Sequence, residues 1–376
     1  MTEKVFLIRN TLPKNYGGGE SYQLELAKAL QTNNFEPMIF SSSIELLKNA
    51  KRQKIKALRS PYLKNQNWSG WRNLLLPIYI GWQIYLYFWY KKQIKKYRPI
   101  AFNIQSRDDW IATTLAAKKM DVKILWTDHI DFRTWVLQNV NQKFKNPIGK
   151  YILKLAKYPY RIIMISDYER HNFEKIVGMH CLNNVITIKN GVKDELERYK
   201  AVKTTPQSFC YVGRLIDYKG IRELIEAFKL ISSNFPNAKL NIFGTGPDEK
   251  KYRSLAQNPN IIFHGYAKEP LRTIAGSDFF ILPSYYEGLS ISLLEAIMLQ
   301  KTIIATNVDG NPEVIEDCKT GLLIPAKNSQ KLAEAMQFLL EHPEESARFA
   351  RNARKKYEQE FNFGRVVKEQ FLPLLD

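Results

Sequence analysis

Short apolar runs alternate with longer helix-type stretches along almost the whole 376-residue chain. That alternation narrows the fold more than any other feature, because strands joined in series by helices lie parallel, with helices over both faces of the sheet. Val5–Arg9 is read as a buried strand, followed by a Gly-rich turn and a helix from about Glu20 to Leu30. Pro37–Ser41, Pro99–Ile104, Val122–Thr127 and Arg161–Ser166 are further strands, each with a helical stretch behind it, and Val185–Lys189 closes the series. Residues 194–207 are polar, charged and without apolar periodicity, and are expected to form a linker. A second series opens at Ser208–Gly213, and Ile221, Leu224, Ile225 and Phe228 fall on one helical face. Ala238–Phe243, Asn260–Phe263, Phe279–Pro283 and Thr302–Ala305 continue it, with helical residues from about Ser329 onward. The expected architecture is α/β. Two doubly wound, Rossmann-like domains (1–193 and 208–376) face a cleft, with the last helix free to pack back on the first domain. A chain of this length exceeds what one core normally serves, and such sheets bind ligands at the carboxyl ends of their strands.

Composition enters through charge. The chain is 45% hydrophobic and 25% charged, which excludes a disordered or fibrous protein. The net charge is +19, and it is one-sided: residues 1–190 hold 31 basic and 13 acidic side chains, the remaining 186 hold 25 and 24. Leu46 to Arg107 carries 14 basic residues and no acid. A concentration of this kind points to a polyanion, namely nucleic acid, an acidic membrane surface or a phosphorylated substrate. Cys181, Cys210 and Cys318 are not in C-x-x-C spacing, so neither a disulfide framework nor a thiolate metal site is expected. The reducing cytoplasm fits best. The apolar run near Met1 is too short for a secretory signal.

Asn73 to Tyr90 is 18 residues without a charge, rich in aromatics and followed by Lys91, Lys92, Lys95, Lys96 and Arg98. As a helix it would be about 27 Å long, short of the roughly 30 Å hydrocarbon core of a bilayer. It also falls between two strands of one sheet, which argues against a span. Two readings stand: a helix at the interface of an anionic bilayer, or a helix buried against the sheet.

The sharpest constellation for chemistry is Pro283-Ser-Tyr-Tyr-Glu287-Gly288-Leu289-Ser290-Ile-Ser-Leu-Leu-Glu295. A strand ends at Pro283 and a helix is expected to begin near Leu289 or Ser290. Glu287 then sits at the strand's carboxyl end and Glu295 inside the helix. The N–H groups of the helix start, at Gly288, Leu289 and Ser290, can bind an anion. Two carboxylates flanking an anion cradle suit a nucleotide sugar, with sugar on one side and ribose on the other. Arg214 and Lys219 flank another strand-to-helix turn and suit a pyrophosphate whose charge grows as the nucleotide leaves. His129, between Asp128 and Asp131, is read either as a general base or as a structural histidine.

These pieces occur in an order that resembles the retaining glycosyltransferases of the GT-B fold, in the large family often called family 4. The resemblance covers nearly the whole chain. It rests on Gly17-Gly18-Gly19-Glu20, Thr127-Asp-His129, Ile188-Lys-Asn-Gly-Val192, Tyr211-Val-Gly213-Arg214…Lys219-Gly220, Phe243-Gly244-Thr-Gly246-Pro247, Glu287 to Glu295, Gly310-Asn-Pro-Glu-Val-Ile315 and Gly321-Leu-Leu-Ile-Pro325. It implies that Gly18 and Gly19 approach the donor phosphate and sugar, that His129 contacts the sugar without abstracting a proton, and that Gly244 and Gly246 shape a loop near the nucleotide. Glu287, His129, Arg214 and Lys219 are the expected catalytic residues. Asp309-Gly310 departs from a Gly-Gly pair common in the family. No Asp-x-Asp motif and no His/Cys cluster of metal spacing occurs, so neither metal nor cofactor is expected beyond the nucleotide-sugar donor, with a UDP-sugar favoured. The resemblance implies one-sugar transfer with retention, the acceptor being received by the first domain. The acid-free basic stretch and aromatic segment of that domain lead us to expect a lipid-linked or lipopolysaccharide-type acceptor and a peripheral enzyme of bacterial cell-envelope assembly at the inner face of the plasma membrane. The alternatives are a related epimerase or phosphorylase, and a nucleic-acid-binding protein. No nucleic-acid motif supports the last, and no nucleic acid partner is expected.

Overall fold

The computed structural model describes residues 2–11, 13, 17–63, 74–129, 147–177 and 183–376. It divides into two compact units, Met1–Ile188 with Val367–Asp376, and Lys189–Val366. In the first unit the order is β1 (Glu3–Ile8), α1 (Gly18–Thr32), β2 (Phe35–Ser41), α2 (Ile44–Arg52), β3 (Lys56–Arg59), α3 (Leu76–Tyr97), β4 (Ala101–Ile104), α4 (Trp110–Lys119), β5 (Lys123–Asp128), α5 (Pro147–Leu155), β6 (Arg161–Met164), α6 (Asp167–Val177) and β7 (Val185–Thr187). These strands form a parallel sheet in the order β3-β2-β1-β4-β5-β6-β7. Val5 to Ile8 are fully buried, as a strand covered on both faces requires.

The second unit runs β8 (Thr205–Val212), α7 (Ile221–Ser232), β9 (Lys239–Phe243), α8 (Glu249–Leu255), β10 (Ile261–Gly265), α9 (Pro270–Ala275), β11 (Ser277–Leu282), α10 (Ile291–Met298), β12 (Thr302–Thr306), β13 (Leu322–Ile324), α11 (Ser329–Glu341) and α12 (Pro343–Lys356). Its sheet is also parallel, ordered β10-β9-β8-β11-β12-β13. Ile221, Leu224, Ile225 and Phe228 are the buried stripe of α7, on the face that their spacing indicates.

Each sheet reverses its winding once, between β1 and β4 in the first unit and between β8 and β11 in the second. Loops leaving the carboxyl ends of adjacent strands diverge at such a point and leave a crevice there.

Three expectations need correction. The stretch 194–207 is not a free linker: it contains a helical turn, Leu196–Tyr199, and β8 already begins at Thr205. Arg354 donates two hydrogen bonds to Asp194, at 3.1 and 2.5 Å. The Val192 carbonyl accepts from Phe363 N and Tyr357 Oη, which pins this stretch to the second unit. The chain division therefore falls at Ile188, and it is the last ten residues, not a whole helix, that join the first unit. Pro247, whose fixed φ suits the first turn of a helix, lies instead in a turn two residues before α8. Cys181, Asp131 and Trp71 lie outside the described residues.

The aromatic segment forms the 22-residue α3. Tyr79, Gln83, Leu86, Tyr90 and Ile94 face the core, whereas Ile78, Ile80, Ile84, Tyr85 and Phe88 are exposed. The buried reading thus holds for one face, and the other face is exposed. Among the described residues no helix is long and apolar enough to cross a membrane.

Two loops of the second unit approach closely at Gly220, which starts α7 with φ +68°. A Cβ there would lie 2.0 Å from the Pro283 carbonyl oxygen. Gly220→Ala is expected to destabilise the protein by more than the roughly 1–2 kcal/mol of left-handed strain alone. Urea unfolding checks it, and an unchanged midpoint would contradict it.

Candidate functional site

In the second unit the crevice between β8 and β11 gathers most of the residues singled out above. β8 runs into Gly213, Arg214 and a single turn, Asp217–Lys219; β11 runs into Pro283 and the loop to Ser290. The two loops are tied by the Tyr285 N–H, which donates to the Tyr218 carbonyl at 2.8 Å. Lys219 Nζ meets Glu287 Oε1 at 2.5 Å, with both side chains largely buried, and Ser284 Oγ donates to the same oxygen at 2.7 Å. The Glu287 N–H donates to Asp309 Oδ2 at 2.8 Å. Position 309, where the chain departs from a Gly-Gly pair, therefore holds the Glu287 loop through its carboxylate.

Arg214 is exposed and donates to Tyr218 Oη at 2.5 Å. Tyr218 in turn stacks on Tyr286, ring centres 4.6 Å apart. Among the described residues Arg214 has no carboxylate partner, so its charge faces outward uncompensated, while that of Lys219 is held by Glu287. Gly244 follows β9 with φ +143°, and a Cβ there would lie 1.7 Å from the Gly213 carbonyl oxygen. This brings the loop of Gly244 and Gly246 against the Arg214 loop, where Leu215 N donates to the Thr245 carbonyl at 3.0 Å.

The helix after Glu287 starts at Ile291, with Ser290 as its N-cap and no side-chain cap bond. Ser290 Oγ pairs with Ser292 Oγ at 3.1 Å instead. The N–H groups of this end are thereby left for a ligand. Gly288 lies in the turn and Leu289 is buried beneath it. Glu295, just over one turn into α10, is half-buried, and its carboxyl has no protein hydrogen bond among the described residues. Burial pushes its carboxyl from 4.5 up to about 7.

In the first unit, the same region of the sheet holds a second set. Gly17 is the N-cap of α1, and Gly18 and Gly19 are its first residues. Glu20 Oε2 accepts from the Gly17 N–H at 2.9 Å, and Glu20 Oε1 accepts from Arg9 Nε at 2.9 Å. A side chain at Gly19 would run into the Arg9 guanidinium. His129 follows β5, with its ring edge-on to Tyr22 at 5.2 Å and Nε2 buried without a hydrogen bond. Burial, and then the charges of Arg9 and Arg107, hold its pKa down at about 3. The imidazole is therefore neutral around pH 7. Asp128 is bound by the Arg107 guanidinium at 2.6 and 2.7 Å.

Comparison with known proteins fits this arrangement. Residues 16–196 match the model of glycosyltransferase family 4 and residues 192–356 that of the glycosyl transferases group 1. The chain belongs to the GT-B glycosyltransferases of the family 4 type. It is 28% identical over 207 residues to CapM of Staphylococcus aureus, a capsular polysaccharide biosynthesis glycosyltransferase, covering 53% of this chain and 54% of the relative. The chain thus spans about half the length of that relative. Among solved structures, HepE of Anabaena in complex with UDP superposes with a TM-score of 0.77 at 16% identity, over 99% of both chains. S. aureus TarM in complex with UDP, α-GlcNAc-glycerol and fondaparinux superposes at 0.78 and 15% identity, over 100% of both. These last two show the fold.

Within this GT-B chain, Arg214, Lys219, Gly244, Gly246, Glu287, Gly288, Leu289, Ser290 and Glu295 all lie on loops or the helix at the carboxyl ends of the second sheet. Gly18, Gly19 and His129 lie in the first unit. Sequence reasoning missed the partners: Ser284, Asp309 and Tyr218 in one unit, Arg9, Arg107 and Tyr22 in the other. Asp309, Arg9, Arg107 and Tyr22 act through contacts between residues well separated in the chain, which no spacing rule marks; Ser284 and Tyr218 lie three and four residues from their partners, but the loop conformation that joins them is not read from spacing. Only the charge of Arg9, at the end of an apolar strand, was a signal.

The Glu295 shift has a defined sign. Its folded pKa lies above the unfolded one, so its stabilising contribution is full below pH 4.5 and is lost as pH rises to about 7. The loss is of the order of 3 kcal/mol. A carbon-13 NMR titration should place its midpoint near 7, and Glu295→Gln should remove this part of the pH dependence of unfolding. A midpoint near 4.5 would contradict the buried, open carboxyl.

Proposed function

We propose that the protein is a retaining glycosyltransferase that moves one sugar from a UDP-sugar to a lipid-linked or lipopolysaccharide-type acceptor. The observation that carries the reading is the second-unit crevice, where the Lys219–Glu287 pair and the open Glu295 carboxyl flank an uncapped helix start. Glu295 receives the ribose hydroxyls of the donor. The diphosphate lies on the N–H groups near Ser290, with Arg214 and Lys219 as cations. Glu287 orients the sugar and positions Lys219. The complexes of HepE and TarM with UDP support the choice of base.

In the transfer, the bond from the sugar's anomeric carbon to the β-phosphate oxygen breaks, and its electrons pass to the diphosphate. The acceptor oxygen bonds to that carbon on the face the nucleotide leaves, and its proton passes to the departing phosphate. Retention follows from the family. Arg214, Lys219 and the helix N–H groups meet the growing charge as it forms, which is where preorganised donors lower a barrier most. His129, neutral at pH 7, hydrogen-bonds the sugar and takes no proton.

The basic, acid-free stretch and the exposed apolar face of α3 support work at an anionic membrane surface, at the cytoplasmic face, where each nearby Lys or Arg contributes about 1 kcal/mol. CapM, a capsular polysaccharide enzyme, supports a cell-envelope role.

Nucleotide release from common sugar nucleotides, with crude membrane lipid as acceptor, tests this. A UDP-sugar should be turned over at a rate that EDTA changes by no more than about twofold, and Glu287→Gln should lose at least about a hundredfold, in the range found for removing one transition-state donor. Turnover that is lost on chelation and restored by magnesium or manganese would contradict the assignment to Arg214 and Lys219.

A further inference from the structure

The apolar face of α3 is not flat. Together with α4 and α5 it forms a groove of about 620 Å³, within the roughly 300–1,000 Å³ of small-molecule sites. Ile80, Ile84 and Phe88 of α3, Leu115 of α4, and Ile148 and Tyr151 of α5 line it. Ile84 and Phe88 are 53% and 61% exposed, so this is a cluster of large apolar side chains facing outward, which needs an occupant.

Charge decides which one. Lys91 Nζ lies over the Tyr87 ring at 5.3 Å and the Phe88 ring at 6.0 Å, and both rings belong to the groove lining. Lys92, Lys95 and Lys96 follow on the same helix, and α3 contains no acid. A second copy of this chain would bring the same lysines against each other. A bilayer surface is too broad to enter a groove between three helices. A hydrocarbon chain fits the groove, and a phosphate at its head meets Lys91.

We propose that this groove binds one hydrocarbon chain of a phosphate-headed membrane lipid, the carrier of the acceptor glycan. This rests on the lipid-linked acceptor proposed above. The groove draws the chain partly out of the bilayer and holds the phosphate at the Lys91 end of α3, which fixes the carrier before its glycan meets the donor.

Calorimetric titration of the full chain with monomeric decyl and dodecyl phosphate, below their micelle concentrations, reads this without turnover. One-to-one saturation is expected, tightening by about fourfold per added methylene, with inorganic phosphate not binding at this site. Ile84→Glu and, independently, the groove-filling Ile80→Trp should each weaken dodecyl phosphate at least tenfold, while the melting temperature stays near that of the parent. Equal affinity in parent and both variants, or no saturation, overturns the proposal. So does a dimer in ultracentrifugation that Ile84→Glu dissociates, since the occupant is then a second copy. Transfer to a lipid-linked acceptor by a protein that fails to bind dodecyl phosphate overturns the groove and leaves the proposed transfer standing.

Discussion

The approach of two backbone loops at the winding reversal of the second sheet governs what this chain can do. Gly220 lets the start of α7 press on the Pro283 carbonyl, and that contact sets Lys219 on Glu287. A buried pair of this kind gives little net stability when complete, but removing one partner costs about 3–5 kcal/mol. The pair therefore acts as a positional constraint. With it in place, the β11 loop presents Glu287 from one side and delivers the chain into α10 with its first N–H groups uncapped and Glu295 just behind. Asp309 and Ser284 hold the same loop from two other directions.

The first unit uses charge differently. Arg9, Arg107 and the burial of His129 combine to keep the imidazole neutral, and Asp128, its neighbour in sequence, is occupied by Arg107. A histidine so held can donate or accept a hydrogen bond but is a poor base. Burial does most of this, and the two arginines that add to it do not stand beside His129 in the chain.

The strands whose side chains are apolar on both faces were legible from the chain alone, and so was the Glu287–Glu295 spacing. β3 was not, since Lys56–Arg59 is a basic edge strand with only Ala57 and Leu58 apolar, and its existence depends on pairing with β2. The linker expected at 194–207 failed for a related reason: its polar residues are structured by Arg354, about 160 residues away. The twofold character of α3 was legible only as an ambiguity. Up to Tyr90 it is uncharged all round, and only packing tells the core face from the outward one.

The central claim is that the second-unit crevice holds the nucleotide half of the donor through Glu295. Calorimetric titration with UDP of the parent and of Glu295→Ala tests it most directly. The account predicts one UDP site in the parent, weakened in the variant by about 1–3 kcal/mol, the cost of leaving hydroxyl partners unmatched. Equal affinity for UDP in the two proteins would contradict it.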